Sequence, residues 1–352
     1  MNPMAYTLSF IFPVLTTWSL YVGGWSLVTV PLVTFGLVPL LELFYKGVTD
    51  NYVEETEKER AQNPLFDWLL YLIVPIQVGI VSLLIYVCAI GHIQGWEILG
   101  AVLSVGVCCG AFGINVAHEL GHRRKKHEIF MAKILLLTSL YMHFYIEHNR
   151  GHHAKVATPE DPASSLKNQS LFAFWFRSVP LSWISAWKIE NRRLRKHSNP
   201  TFRYDNQMLR FQLIQLATLV GIVLVAGLLP CLAFIGSAVC GFLLLETVNY
   251  VEHYGLSRNK KSNGRYERVQ PHHSWNSNHA IGRLLLFDLT RHSDHHANAG
   301  RKYSVLRHFD HSPQLPTGYP GMILLAFFPP LFFRVMNPCL ERELARMEQE
   351  AA

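Results

Sequence analysis

Three clusters of histidines in this sequence have the residue types and spacing of metal ligands. They are His-Glu-Leu-Gly-His at 118–122, His-Asn-Arg-Gly-His-His at 148–153 and His-Ser-Asp-His-His at 292–296. Residues three or four apart share one face of a helix, so each cluster can point at least two imidazoles at one ion. A chain with 18 histidines can hold one such cluster by chance, but three of them indicate a metal site.

A ninth candidate ligand, His253, lies at the end of an apolar segment, in the stretch Asn-Tyr-Val-Glu-His-Tyr-Gly at 249–255. Common biological metal ions take four to six ligands, so nine imidazoles are most simply explained by two ions. Imidazole ligands suit zinc, copper, iron or nickel and do not suit magnesium or calcium. The predicted ligands are His118, His122, His148, His152, His153, His253, His292, His295 and His296.

The remaining histidines carry weaker signals. Six are predicted to be structural or surface residues: His92, His127, His143, His197, His308 and His311. His272, His273 and His279 lie in a polar and aromatic stretch, which suits residues that support ligands.

A ligating imidazole usually donates its second N–H to a carboxylate or a carbonyl group. The residues predicted to lie behind the ligands are Glu119, Glu147, Asn249, Glu252, Asp294 and His279. Asp161 and Asp288 are further acids near the clusters. The sequence does not pair any of these groups with an individual ligand.

Six apolar segments are long enough to cross a membrane, which takes about 20 residues, and these segments must position the histidines. They are residues 5–25, 27–46, 68–91, 97–117, 211–229 and 231–250. Half of the chain is hydrophobic and 16% is charged, which excludes a disordered protein. The N-terminus lacks the basic start of a cleaved signal peptide, so we expect the first segment to stay as a span.

The basic residues set the expected orientation. They concentrate at 123–126, 188–203 and 258–268, and the net charge of the chain is +7. The positive-inside rule then places both termini and all the histidine clusters in the cytoplasm, and the basic excess does not indicate nucleic-acid binding. We therefore predict an all-α polytopic membrane protein, one domain over residues 1–352, whose cytoplasmic helical cap holds a dimetal site.

Two other apolar stretches are not predicted to span the membrane. A crossing by residues 129–146 would place His148 and the rest of its cluster across the bilayer from His118, so we predict a re-entrant or interfacial helix there. Residues 319–337 contain three prolines, which an unbroken helix does not tolerate, and are predicted to lie on the membrane surface. Residues 341–352 are predicted to form a short charged helix.

Rival functions weigh less. His-Glu-x-x-His is also the signature of zinc proteases, with Glu119 as the base, but a protease would leave seven of the nine histidines without a role. A metal transporter would need polar ligands spread through its spans rather than gathered at one end. The six cysteines include no Cys-x-x-Cys pair, which argues against a cysteine-ligated metal site.

The motifs closely resemble those of the bacterial integral-membrane alkane monooxygenases, within the membrane fatty-acid desaturase and hydroxylase superfamily. The superfamily pattern of three histidine boxes is present, and the alkane branch is marked by the stretches 147–153, 157–163, 249–255 and 291–297. A desaturase or fatty-acyl hydroxylase with the same metal chemistry is the nearest alternative. The resemblance covers about residues 15–338.

The resemblance implies a non-haem di-iron centre with the nine histidines as ligands, dioxygen as oxidant and no haem or flavin. It implies electrons from rubredoxin, supplied by an NAD(P)H-dependent rubredoxin reductase. The product is a primary alcohol from a medium-chain n-alkane. Because residues 1–352 contain no rubredoxin-type cysteines, we expect the donor to be either a separate protein or a fused domain that lies outside this sequence. The basic loops at 123–126 and 192–196 could attract the donor if it is acidic.

An alkane has no polar group, so only apolar contact can hold it. Residues one or two turns before a ligand on the same helix face are predicted to line its approach. These are Ala111 and Ile114 before His118, and Glu246 before His253. An ionisable residue inside a span is a functional candidate, and Glu246 is also considered for proton supply.

Overall fold

The computed structural model describes residues 2–45, 47–196 and 204–351, and His197 lies outside them. Within these residues the regular structure is helical, with two isolated β-bridges. Six helices are long and apolar enough to cross a membrane, so the protein is a multi-pass membrane protein and the predicted fold class is confirmed. In chain order they are span 1 (Pro3–Val22), span 2 (Gly24–Glu42), span 3 (Pro64–Ala89), span 4 (Glu97–Gly121), span 5 (Gln207–Ala226) and span 6 (Leu228–His253).

Local signals set where these spans begin and turn. The Asn63 side chain accepts a hydrogen bond from the backbone N–H of Leu65 and caps span 3, whose first residue is a proline. Spans 1 and 2 meet at Gly23 and spans 5 and 6 at Gly227, both at positive φ. Glycine adopts that conformation without strain, so each pair of spans reverses direction in a tight turn.

Spans 4 and 6 approach closely because small residues line their contact. A Cβ atom added at Gly241 would lie 2.5 Å from Cβ of Cys109, and one added at Gly110 would lie 2.8 Å from the carbonyl oxygen of Gly241. Small residues allow two membrane helices to pack backbone against backbone. This contact brings the ends of both spans, which carry His118 and His253, to the same side of the bundle.

The other helices form a cap at that end of the bundle. They are Glu54–Gln62, Lys126–Leu137, the segment 144–155, Leu171–Lys196, Ala280–Leu285, His292–Ala297, Tyr319–Ala326 and Pro329–Ala351. The buried Arg283 side chain donates to Asp288, which also accepts from Tyr6 in the first turn of span 1. The cap is thereby joined to the start of the bundle.

The two segments predicted not to cross the membrane differ in their helical structure. Lys126–Leu137 has 12 residues, about 18 Å at 1.5 Å per residue, which is too short to span a bilayer. In the proline-rich stretch, one helix ends at Ala326 and the next begins at Pro329, because proline is tolerated in the first turn of a helix.

That last helix runs to Ala351, so the predicted short tail helix is part of a longer one. The 26-residue helix Leu171–Lys196 was not predicted. It has one apolar face rather than 20 consecutive apolar residues, so a search for spans overlooks it.

Candidate metal centre

The structure gathers the nine predicted ligands into two groups. The first is His118, His122, His148, His153 and His295; the second is His152, His253, His292 and His296. Within each group, one ligand atom of every imidazole lies within 4.8 Å of the others. Among the described residues, no other histidine joins either group.

The second histidine cluster contributes to both groups because its backbone is π-helical over His148–His152. A π-helix closes its hydrogen bonds over five residues rather than four, so residues five apart come onto one face. Nε2 of His148 therefore lies 2.9 Å from Nε2 of His153, while His152 turns to the other group. The spacing in the sequence does not reveal this division.

The third cluster divides in the same way on an ordinary α-helix. His292 and His296 are four residues apart and belong to one group, whereas His295 points to the other. Nε2 of His295 lies 2.7 Å from Nε2 of His118, at the end of span 4. Nε2 of His292 lies 3.4 Å from Nε2 of His253, at the end of span 6.

This donor set fits metal ions. Nε2 atoms also face each other between His122 and His148 at 3.1 Å and between His152 and His296 at 3.2 Å. Neutral imidazoles that direct lone pairs at one another repel unless a cation or a proton lies between them. Burial lowers the pKa of His122 to about 4, so at neutral pH it is in the uncharged form that binds metal.

One ligand has a carboxylate behind it. Nδ1 of His152 lies 2.9 Å from Oδ2 of Asp161, which also accepts a hydrogen bond from the Ser164 hydroxyl. Burial alone would lower the pKa of His152, but Asp161 raises it above the usual value. If Nδ1–H donates to Asp161, the lone pair on Nε2 is free for an ion. The sequence marked Asp161 as a nearby acid without assigning it this contact.

Glu252, one of the residues predicted to lie behind the ligands, faces the ligand atoms instead. Its Oε2 lies 3.1 Å from Nε2 of His292, the atom that faces His253. Its Oε1 accepts a hydrogen bond of 2.6 Å from the hydroxyl of Tyr319. The sequence did not predict a role for Tyr319. Its contact with Glu252 joins span 6 to a helix 67 residues further along the chain.

Two other predicted supports hold the backbone of the cap. Glu119 accepts hydrogen bonds from Arg123 at 2.6 Å and from the backbone N–H of Tyr303 at 3.2 Å. Asp294 accepts from Asn298 at 2.7 Å and from the backbone N–H of Arg307 at 2.8 Å. Neither carboxylate has a hydrogen bond to a ligating imidazole among the described residues.

The last three residues predicted to lie behind the ligands have other hydrogen-bond partners. Glu147 accepts a hydrogen bond of 3.3 Å from Ser185, and Asn249 is hydrogen-bonded to the carboxylate of Glu246. His279 contacts the hydroxyl of Ser277 at 3.0 Å. None of the three has a hydrogen bond to a ligating imidazole among the described residues.

An apolar cavity leads to the histidines from within the bundle. The space between its walls, counted with the open solvent at its mouth, is about 900 Å³, and His118, His148 and His292 are among the residues that line it. Its walls come from spans 1, 2, 4 and 6 and from two cap helices: Phe12, Thr34, Phe35, Val38, Ala111, Asn115, Leu244, Leu245, Val248, Leu285 and Ile323 among others. It can hold an apolar chain with one end at the metal centre.

Of the three residues predicted to line the approach to the ligands, one lines this cavity and two do not. Ala111 lines it, whereas Ile114 is buried in the core beside it. Glu246 does not line it; it accepts hydrogen bonds from Tyr141 and Ser178 in a smaller polar cavity nearby.

Two walls of the cavity contain π-helical turns, over Val33–Leu37 in span 2 and Cys108–Ile114 in span 4. The cavity lies to one side of His118, where Gly110, Ala111 and Asn115 of span 4 line it. At 3.6 residues per turn, Asn115 and Ile114 lie on opposite flanks of His118 around the helix axis, so Ile114 falls outside the cavity wall.

The chain is similar to a known protein family and to individual proteins of known activity. The model of the fatty acid desaturase family matches residues 94–326. The chain is 43% identical to alkane 1-monooxygenase 2 of Pseudomonas aeruginosa, over 91% of this chain and 86% of that protein. It is 44% identical to alkane 1-monooxygenase 1 of the same organism, over 86% and 80%, and 40% identical to alkane 1-monooxygenase of Ectopseudomonas oleovorans, over 93% and 82%.

Proposed function

Because this chain belongs to the fatty acid desaturase family, and within it to the alkane 1-monooxygenases, we propose that it hydroxylates the terminal methyl group of medium-chain n-alkanes. The observation that carries this proposal is the apolar cavity that ends at His118, His148 and His292. In the reaction, an alkane and dioxygen take up two electrons and two protons and give a primary alcohol and water.

We propose that the nine histidines hold two iron ions, one in each group. When bound there, the ions supply the reductive activation of dioxygen. The fit is supported by the burial of the ligands, by their facing Nε2 atoms and by the carboxylate of Asp161 behind His152. Imidazole donors alone do not distinguish iron from zinc or copper, so the metal itself has to be measured.

The protein's own residues bind and place the substrate. Each buried CH₂ group contributes about 0.8 kcal/mol, so an apolar wall binds a chain of several carbons without polar contacts. Glu252 and Tyr319 lie at the end where the apolar wall meets the ligands, and both line the cavity. They place a hydrogen-bonded acid and hydroxyl beside the reacting end, while the wall formed by Leu244, Leu245 and Val248 excludes water.

We propose further that rubredoxin, reduced by an NAD(P)H-dependent rubredoxin reductase, delivers the electrons. On this proposal the protein lies in the bacterial inner membrane, with both termini and the metal centre on the cytoplasmic side. Residues 1–352 then act as one domain. The basic segments on the histidine side support this orientation.

The test uses the purified protein in detergent or nanodiscs. Its metal content is measured, and it is given octane, dioxygen, rubredoxin and the reductase, with products separated by gas chromatography. We expect about two irons per chain, from its two ligand groups, and 1-octanol as product. Zinc in place of iron with no alcohol formed would overturn the proposal, and an alkene product would point to a desaturase instead.

A further inference from the structure

A basic hairpin, defined as residues 258–268, leaves the cap shortly after His253. It contains five cations and one acid. Lys260, Lys261, Arg265 and Arg268 are exposed. Among the described residues, the one ion pair of the hairpin joins its acid, Glu267, to a histidine. The four exposed cations therefore present their charge to the outside.

The base of the hairpin is fixed to the segment that carries three of the predicted ligands, His148, His152 and His153. The backbone N–H of Arg258 donates to the carbonyl of Ala157 at 2.7 Å, and its guanidinium donates to the carbonyl of Ala154 at 2.8 Å. Ala154 directly follows His153 in the chain. The two arms are joined by a hydrogen bond of 2.8 Å from the N–H of Lys261 to the carbonyl of Arg265.

The other arm reaches the second ligand group. Oε1 of Glu267 lies 3.3 Å from Nε2 of His273, and the backbone of His273 is hydrogen-bonded to the imidazole of His253. A short chain of hydrogen-bonded groups therefore links the hairpin surface to a predicted ligand. Electron transfer slows steeply with distance, so a carrier held on this surface is well placed to deliver electrons.

The surroundings of the hairpin suit a water-soluble partner. Among cap residues 254–323 no large apolar side chain is exposed, as expected for a surface that faces water rather than lipid. By contrast, the basic stretch 124–126 leads into the helix Lys126–Leu137, whose Phe130 is 64% exposed. That stretch lies beside an apolar surface, where cations meet lipid headgroups.

The basic loops singled out in the sequence are also partly neutralised. Arg123 pairs with Glu119 at 2.6 Å and with Asp67 at 3.3 Å. Arg193 pairs with Glu190 at 2.8 Å. One cation of each loop is therefore balanced within the protein, whereas none of the four exposed cations of the hairpin has an acidic partner among the described residues.

We propose that the hairpin 258–268 is the docking surface for the electron donor, an acidic, water-soluble one-electron carrier protein. The inference rests on the proposed function, because that reaction needs two electrons per dioxygen. Two carrier molecules are each oxidised by one electron at the hairpin. These two electrons and two protons, together with the two electrons of the terminal C–H bond, reduce dioxygen: the O–O bond breaks, one oxygen atom is inserted into the C–H bond to give the alcohol and the other leaves as water.

The test is a charge-reversal comparison. One variant carries Lys260→Glu, Lys261→Glu, Arg265→Glu and Arg268→Glu; the matched variant carries Arg124→Glu, Lys125→Glu and Lys126→Glu. Each protein, in nanodiscs of zwitterionic lipid, is titrated against an immobilised acidic rubredoxin at increasing salt. We expect the hairpin variant to lose about tenfold or more in affinity at low salt and most of its salt dependence, since exposed charges act through screened attraction.

The matched variant should bind within about threefold of the wild type. Equal affinity for wild type and hairpin variant would overturn the inference, and so would an equal loss in both variants. Metal content and thermal unfolding check that each variant is folded.

Activity separates this inference from the function on which it rests. With a small uncharged reductant in place of rubredoxin, wild type and hairpin variant should form 1-octanol at the same rate, and a slower variant would overturn the docking role. Wild type that forms no alcohol with either reductant would count against the proposed function, whereas the binding titration would still decide where the carrier docks.

Discussion

The most informative single contact is the one between His152 and Asp161. The carboxylate fixes which ring nitrogen carries the proton, and it is itself held by the Ser164 hydroxyl. A ligand oriented in this way presents the lone pair of Nε2 to its ion once that nitrogen has lost its proton.

Asp161→Asn is therefore expected to lower metal affinity by about 10- to 100-fold, because an amide orients the ring less strongly than a carboxylate. Competition against a metal-binding dye measures the affinity. The control is Glu160→Gln, which removes a neighbouring exposed acid. Equal affinity in both variants would show that Asp161 does not orient a ligand.

The length of alkane that fits the cavity also depends on single side chains in its wall. Ala111→Phe places a ring in the apolar wall, so we expect the preferred alkane to become shorter by about two to four carbons, with weaker binding of longer chains. Ile114→Leu keeps the volume of a core residue outside the cavity and should leave the preference unchanged. Competition among hexane to dodecane, with products resolved by chromatography, compares them. A shift in the preferred alkane length with Ile114→Leu but not with Ala111→Phe would contradict the assignment of Ala111 to the cavity wall.

At the scale of the element, three π-helical turns coincide with the site. Two border the cavity in spans 2 and 4, and the third divides the second histidine cluster between the ligand groups. Such turns often occur at functional sites, because they re-aim side chains within a helix. The close contact between spans 4 and 6 acts with them, since it sets the separation of the two helix ends that carry ligands.

Gly241→Leu should therefore disturb the metal centre from a distance. The new side chain would meet Cβ of Cys109 at 2.5 Å, so the two spans must move apart and His118 and His253 with them. We expect reduced metal content and a lower melting temperature. The control is Gly221→Leu in span 5, where nothing lies within 4 Å of the added Cβ. If both variants retain their metal equally, the ligand geometry does not depend on this contact.

At the scale of the whole molecule, the two histidine groups join the cap to the bundle. The histidines come from the ends of spans 4 and 6, from the segment 144–155 and from the helix His292–Ala297. An ion bound to several segments stabilises the folded state in proportion to its affinity. The buried hydrogen bonds of Arg283 and Arg291 add a second connection that does not involve the ligands.

Metal removal should consequently loosen the cap more than the bundle. Treatment with an iron chelator is expected to lower the melting temperature by several degrees or more and to increase hydrogen exchange in 144–155 and 292–297, with little change in span 3. Re-addition of iron should restore both. Unchanged exchange at the two ligand segments after complete iron removal would contradict a structural role for the ions.

The sequence by itself determined the six apolar helices, the types and positions of the nine imidazoles and the apolar nature of the substrate path. These features follow from local composition and from spacing along one helix, which the chain encodes in consecutive residues. Ala111 was found in this way, since it lies two turns before His118 on one helix.

Tertiary structure alone decided how the histidines divide between two groups, which carboxylate meets which ring and which residues wall the cavity. Asp161 and Tyr319 take their places through turns and contacts that join distant segments, and the cavity opens on the flank of span 4 that does not include Ile114. Spacing along an ideal helix contains none of this information, because the packing of separate helices fixes the positions at which their side chains meet.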